Sequence, residues 1–286
     1  MPYVALITGA SSGIGEAVAR RLAREPEVTL ILVARRGDRL RALAEELGTA
    51  RALTVPGDLT EPGRAAQLAK IVEHRHGALH LLVNNAGARW AEDFAAGGVA
   101  NLERHLAINF EAPVRLVEAF LPLLRASAAA GGPLTTGGAE GGQRATFGGR
   151  PLRAPVAVVN VTSTSARIAR RGTGAYSASK AALAAWSDAL YLEERRHGVH
   201  VGNVLPGFIA TEGFPQTELR ANLLTRWAVS DVGRVAEAVI DAGPGGVPER
   251  YVPRYYRLGA LLRVVAPGVI RWGASRGVVS TGTRSV

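Results

Sequence analysis

Val4-Ala-Leu-Ile-Thr8-Gly9-Ala10-Ser11-Ser12-Gly13-Ile14-Gly15 is the stretch that decides the fold. Its first part is a short apolar run, the pattern of a strand buried on both faces of a parallel sheet. Its second part is a glycine turn, after which Val18 and Leu22 begin a helical spacing. Strand, glycine turn and helix in that order bring unpaired backbone amides to one point, where a phosphate can sit. Glycine also lets the chain pass close to a pyrophosphate. The spacing is G-x-x-x-G-x-G, which differs from the usual dinucleotide fingerprint. Gly9, Ser11, Ser12, Gly13, Ile14 and Gly15 are therefore candidate cofactor contacts.

The same alternation repeats outward from this unit. Val28 to Val33 reads as a second buried strand and ends in Ala34-Arg35-Arg36. In a dinucleotide fold this strand end meets the adenosine ribose. An acidic residue there would bind the 2′-hydroxyl of NAD, whereas Arg35 suits a 2′-phosphate. NADP(H) is therefore the expected cofactor, and NAD(H) is the alternative, with Arg35 turned to solvent. Helices are expected over residues 39–47, 62–74 (opened by Thr60 as a cap), 99–110, 112–125 and 231–241. Strands are expected over 50–55, 79–83, 156–161, 199–205 and 250–252. Asp58, after the third strand, is a candidate acceptor for the adenine amino group. Asn84-Asn85-Ala86-Gly87 closes the fourth strand at the sheet's carboxyl edge, and Asn85 joins the candidate contacts. Pro206 and Gly207 close a later strand and join them too. Strands alternating with helices predict an α/β fold, a doubly wound parallel sheet between two helical layers.

Proton chemistry points to Thr173-Gly-Ala-Tyr176-Ser-Ala-Ser-Lys180. It reads as the start of a helix, so Tyr176 and Lys180 leave the same face. A phenol titrates near pH 10 and a neighbouring ammonium lowers that value. A tuned tyrosine can give a proton to a carbonyl oxygen or take one from an alcohol. The chain carries 34 basic residues, and only Lys70 and Lys180 are lysines. Where arginine is the habitual cation, a lysine at position 180 has a specific task.

The 286 residues suffice for one large domain, and 47% hydrophobic with 20% charged residues indicate a globular chain. The net charge of +10 is spread over scattered arginines, which argues against a nucleic-acid partner. There is no cysteine, hence no disulfide or thiolate chemistry. The six histidines form no ligand cluster, so no metal is expected. No apolar run reaches a membrane span, and the N-terminus runs directly into the glycine motif, so the cytoplasm is the expected compartment. Residues 126–155, rich in Gly, Ala, Thr and Pro, read as a mobile surface insertion. Residues 206–230 read as a substrate loop, and Phe208, Ile209, Phe214, Leu219, Leu223 and Trp227 with Trp90 suggest an apolar pocket. Beyond the domain of residues 1–252, the tail of residues 253–286 holds an amphipathic helix with Pro253 in its first turn and Pro267 as its stop. Its arc of Tyr255, Leu258, Leu262 and Val265 either docks over the pocket or lies weakly on an anionic membrane surface.

These motifs together resemble the short-chain dehydrogenase/reductase family, over roughly residues 3–252. They stand here as Thr8-Gly-Ala-Ser-Ser-Gly-Ile-Gly15, Asn84-Asn-Ala-Gly87, Asn109, Ser163, Tyr176-x-x-x-Lys180 and Pro206-Gly207. The resemblance implies a single Rossmann-like domain and an oxidoreductase that moves hydride between a nicotinamide cofactor and a small carbonyl or alcohol substrate. It implies that Tyr176 is the acid in reduction and the base in oxidation. Lys180 would bind the nicotinamide ribose, Ser163 would bond the substrate oxygen, and Asn109 would hold a water in a proton relay. Homo-oligomeric assembly is expected with it. The alternative of another class is a nucleotide sensor on the same fold, against which the intact Asn-Ser-Tyr-Lys set argues.

Overall fold

The computed structural model describes residues 2–131, 146–147, 150–210 and 229–275. Strands β1 (Tyr3–Thr8), β2 (Val28–Ala34), β3 (Ala52–Pro56), β4 (Leu81–Asn84), β5 (Ala157–Val161), β6 (His200–Pro206) and β7 (Glu249–Val252) form one sheet. Their order is β3-β2-β1-β4-β5-β6-β7, and every neighbouring pair is parallel. Parallel neighbours need crossovers, and helices supply them. They are α1 (Gly13–Leu22), α2 (Gly37–Leu47), α3 (Arg64–His76), α4 (Phe94–Leu106), α5 (Ala112–Ala129), α6 (Gly174–Glu194) and α7 (Val232–Ala242). The expected doubly wound single domain is what the chain forms.

Side chains of β1 alternate between two apolar cores. Tyr3, Ala5 and Ile7 pack with Val18 and Leu22 of α1, Leu40 of α2 and Val235 of α7. Val4 and Leu6 pack on the other side with Leu68 of α3, Leu116 and Phe120 of α5, and Leu190 of α6. A strand buried on both faces has no polar position to give up, which is why it reads as a continuous apolar run. Each such Leu or Ile contributes roughly 1.5–3 kcal/mol over exposure. The chain reverses direction across the sheet between β1 and β4. The crevice outside their carboxyl ends is where such folds bind ligands.

Several boundaries move. Helix α3 starts at Arg64 behind Gly63, whose φ of +77° marks the turn, so Thr60 is no helix cap. Thr60 instead donates its backbone N–H and its hydroxyl to Asp58. The insertion is not wholly unpacked. Thr146–Phe147 pairs antiparallel with Arg150–Pro151. Phe147 is buried against the Tyr3 ring, with centroids 4.8 Å apart. Arg150 meets Glu237 at 2.9 Å and Asp241 at 2.5 Å on α7. An aromatic and a cation in a Gly-rich stretch are the residues that tie it down.

The tail also departs from expectation. It forms α8 (Tyr256–Val265) and α9 (Pro267–Ser275), so Pro267 opens a second helix instead of only ending the first. A proline fits a first turn because its missing N–H would have no partner there. The docking face is not the arc read from the sequence. Tyr256 packs on Gly207, and Gly259 approaches Ile168. Leu258, Leu262 and Val265 remain exposed. Of the apolar loop residues, Phe214, Leu219, Leu223 and Trp227 lie outside the described residues.

Candidate active site

The cofactor turn is built by close backbone approach. Gly9 has φ +67° and Gly13 φ +59°, both disfavoured for other residues. A Cβ on Gly9 would stand 2.8 Å from Asn85 Nδ2, and one on Gly15 would meet the Gly9 carbonyl. Asn85 braces the turn: Nδ2 donates to the Thr8 carbonyl at 2.9 Å, and its N–H donates to Thr8 Oγ1 at 2.9 Å. Asn84 faces the other way and donates to Asn160 Oδ1 at 2.8 Å, fastening β4 to β5. In front of the turn lies a cleft of about 660 Å³. Gly9, Ser11, Ser12, Gly13 and Ile14 line it, with Arg35, Arg36, Asp58, Asn85 and Gly87. The glycine cradle and its unpaired amides fit a dinucleotide.

At the ribose end, Arg36 bridges back to the turn. Its guanidinium donates to Ser11 Oγ at 3.2 Å and Ser12 Oγ at 2.6 Å. Arg35 lies on the same wall and helps hold Asp58 below its ordinary carboxylate value, after the larger effect of the Thr60 hydrogen bonds. Both Thr60 bonds fall on Asp58 Oδ1, which leaves Oδ2 for a ligand amino group.

The residues to which the sequence assigns proton chemistry converge at the sheet's centre. Ser163 follows β5 and caps the short 3-10 turn Thr164–Ala166, accepting from the Ser165 N–H at 3.1 Å. Pro206 ends β6 beside it and Gly207 follows: Ser163 Oγ donates to the Pro206 carbonyl at 3.5 Å, and Gly207 N–H donates to the Val252 carbonyl. Asn109 sits fully buried in a π-helical turn, Ala107–Glu111, that joins α4 to α5. Such one-turn irregularities occur often at functional sites. Asn109 Nδ2 donates to the Ala88 carbonyl and to Ser179 Oγ, while Oδ1 accepts from the Ala88 N–H. A Cβ on Gly87 would meet Asn109 Oδ1 at 2.7 Å and Lys180 Nζ at 3.3 Å. Cofactor cleft, asparagine and lysine therefore meet at one glycine.

Burial favours the neutral forms of both Tyr176 and Lys180. The Lys180 ammonium is pushed down to about 8, and its Nζ donates to the Val161 carbonyl at 2.9 Å. The Tyr176 phenol is pushed up by burial, against the opposing pull of its Ser163 hydrogen bond and the positive charges of Arg89 and Arg170. The expected depression of Tyr176 by Lys180 is thus not what this structure shows. The lysine is turned to a backbone carbonyl, and the two arginines are the cations that act on the phenol.

Sequence reading missed several residues here. His105 is buried, contacts Asn101's carbonyl through Nδ1 at 2.7 Å, and accepts the Trp90 N–H on Nε2. Those two bonds assign its proton to Nδ1. Its ring stands edge-on to Tyr176, with centroids 6.1 Å apart. Arg104 stacks 4.7 Å over Trp90 on the cleft wall. Nothing in local spacing marks these contacts. Among the described residues no group of three His, Cys, Asp or Glu could share a metal ion.

The family model described as short chain dehydrogenase matches residues 3–144 and 153–221. The chain belongs to the short-chain dehydrogenase/reductase family. It is an oxidoreductase whose family uses NAD(P)(H). This short-chain dehydrogenase/reductase is 30% identical to an 11-beta-hydroxysteroid dehydrogenase-like protein of Arabidopsis thaliana, covering 93% of this chain and 79% of that one. It is 27% identical to a D-beta-hydroxybutyrate dehydrogenase of Rhizobium meliloti, over 74% and 73%. It is 28% identical to a ketoacyl reductase of a Nostoc species, over 83% and 74%. A short-chain dehydrogenase structure from Streptomyces avermitilis superposes with a TM-score of 0.73 at 26% identity, covering 97% of this chain and 98% of that one. Among the described residues no helix is long and apolar enough to cross a membrane.

Proposed function

We propose that this chain is an NADP(H)-dependent oxidoreductase interconverting a ketone or aldehyde and an alcohol. The observation that carries the cofactor choice is Arg36 spanning Ser11 and Ser12 beside Arg35. Two guanidiniums just after β2, one of them held by the turn hydroxyls, make a cation-rich corner, which suits a 2′-phosphate. When bound, the nicotinamide supplies hydride to the carbonyl carbon or accepts it from the carbinol.

The chain's own residues do the rest. Ser163 donates to the substrate oxygen and orients it. Tyr176, a phenol that burial holds further in its protonated form, gives its proton to that oxygen in reduction; in oxidation it first loses that proton through Lys180 and, as phenolate, takes the alcohol's. Lys180, beside Asn109 at Gly87, binds the ribose hydroxyls and returns the proton to the tyrosine. Asn109 anchors the relay toward solvent. The ring of His105 keeps the tyrosine from rotating away. Phe208, Ile168 and Tyr256 supply apolar wall on the substrate side, which favours a lipophilic substrate skeleton. The hydroxysteroid, hydroxybutyrate and ketoacyl names of the relatives span that range without choosing within it.

The test of the cofactor is a parallel measurement of NADPH and NADH affinity in the wild type and in Arg35→Asp and Arg36→Asp. Losing a charge-assisted pair should weaken NADPH by about tenfold or more. An NADPH/NADH ratio unmoved by both substitutions overturns the cofactor choice.

A further inference from the structure

A small cavity borders the catalytic serine, lined among others by Thr164, Ser165, Arg167, Ile168, Arg170 and Phe208. Tyr256 and Ala260 of α8 close its far side. It holds two guanidiniums with different circumstances. Arg167 is ion-paired, at 2.9 Å from Glu249. Arg170 is half-buried and has no carboxylate partner among the described residues. Its guanidinium lies 4.5 Å over the Phe208 ring and reaches Ser165 Oγ at 3.4 Å, a long bond. Among the described residues no Asp or Glu lines the cavity. The next arginine along, Arg171, is the one paired with Asp93.

A partly desolvated cation with no carboxylate beside it among the described residues is costly to hold, and a second positive charge, Arg89, adds to the cost. Burial, followed by Arg89, pushes the Arg170 guanidinium below its ordinary value. Both arginines also act on the Tyr176 phenol. The pair therefore sets a positive field over the atom that handles the proton.

We infer that Arg170 receives the carboxylate of the substrate, so that the enzyme acts on oxo- or hydroxy-carboxylic acids. The inference rests on the oxidoreductase reading above and narrows its substrate class. A guanidinium presents a planar fork that a carboxylate matches with two parallel bonds. One partly buried guanidinium balances one negative charge, which fits a carboxylate better than a phosphate dianion. Ile168, Phe208 and Tyr256 line the cavity around it, whose volume of about 50 Å³ takes the carboxylate end alone and leaves the carbon chain outside it, toward Ser163. The same cations raise the acidity of Tyr176, and a bound carboxylate would neutralise them. Substrate binding thereby removes an opposing pull on a phenol that burial already holds protonated, the form that reduction needs.

The test is calorimetric and does not depend on turnover. Straight-chain carboxylates from butanoate to dodecanoate, and the matching primary amides, are titrated into the full-length enzyme with and without NADP. The carboxylates are expected to bind at least about tenfold more tightly than the amides, and Arg170→Gln is expected to collapse that ratio. Equal binding, preference for amides, no binding of either series, or a ratio that survives Arg170→Gln would overturn the inference. Because the wild-type ratio is itself decisive, a poorly folding variant does not block the result. A parallel panel of oxo acids and their methyl esters with NADPH and NADH separates the two levels. No oxidation of either nicotinamide would refute the oxidoreductase reading, whereas ester turnover without acid preference would refute only the role of Arg170.

Discussion

Lys180 and Tyr176 are held where each is pushed toward its neutral form, the lysine down to about 8 and the tyrosine upward, by burial first in both cases. This has a sign that can be measured. Below about pH 8 the pair holds the proton that reduction consumes, and above it Lys180 gives that proton up. The rate of carbonyl reduction is therefore expected to hold steady below pH 8 and to fall above it, with alcohol oxidation rising over the same range. Lys180→Met should remove that inflection and weaken cofactor binding. A reduction rate independent of pH from 7 to 10 would show that Lys180 does not serve as the relay. At this scale the sequence was informative where chemistry is written in spacing, as in Tyr176-x-x-x-Lys180. It was silent on Arg170 and His105, because a guanidinium laid over a ring and an edge-on imidazole are facts about what the fold brings near.

Among the elements, the glycine turn and the apolar strands were legible, since both follow from local backbone needs and from burial on two faces. The stretch before β5 was not. Phe147 stands in a run of small residues without periodicity, yet it fills a place against Tyr3 in the core. Truncating a buried aromatic removes its transfer energy and leaves a cavity, which costs about 3–5 kcal/mol. Phe147→Ala should lower stability by that order in denaturant unfolding, while a Gly-Ser replacement confined to residues 132–145 should cost far less. A loss below about 1 kcal/mol for Phe147→Ala would mean that the short hairpin does not anchor the segment. The tail helix was misread in facing for a related reason. Periodicity gives an arc, but Gly207 and Gly259, which admit Tyr256 and approach Ile168, decide which side docks.

For the molecule as a whole, the central sheet carries a titratable group that matters to stability. His80 is buried at the start of β4, stacks on Tyr3, and accepts the Val4 N–H on Nδ1 at 3.0 Å. Burial, then the positive N-terminus, lowers it to about 4. The folded state thus binds fewer protons than the unfolded state between pH 6.5 and 4, so stability is fully present above pH 6.5 and lost as pH falls toward 4. The loss attributable to this one residue is on the order of 3 kcal/mol. Thermal unfolding at pH 7 and pH 4.5 should show a smaller acid penalty for His80→Gln than for the wild type. An equal penalty would place the acid sensitivity elsewhere.

The central claim is that Tyr176 transfers the proton while the rest of the cleft holds a nicotinamide cofactor and orients the substrate. Its most direct test is NADPH oxidation with a panel of oxo compounds, wild type and Tyr176→Phe side by side at equal cofactor saturation. The substitution removes one hydroxyl from a ring packed by His105, so folding and NADPH affinity should persist while turnover falls by about a hundredfold to ten-thousandfold. Turnover within a few-fold of the wild type would contradict the account.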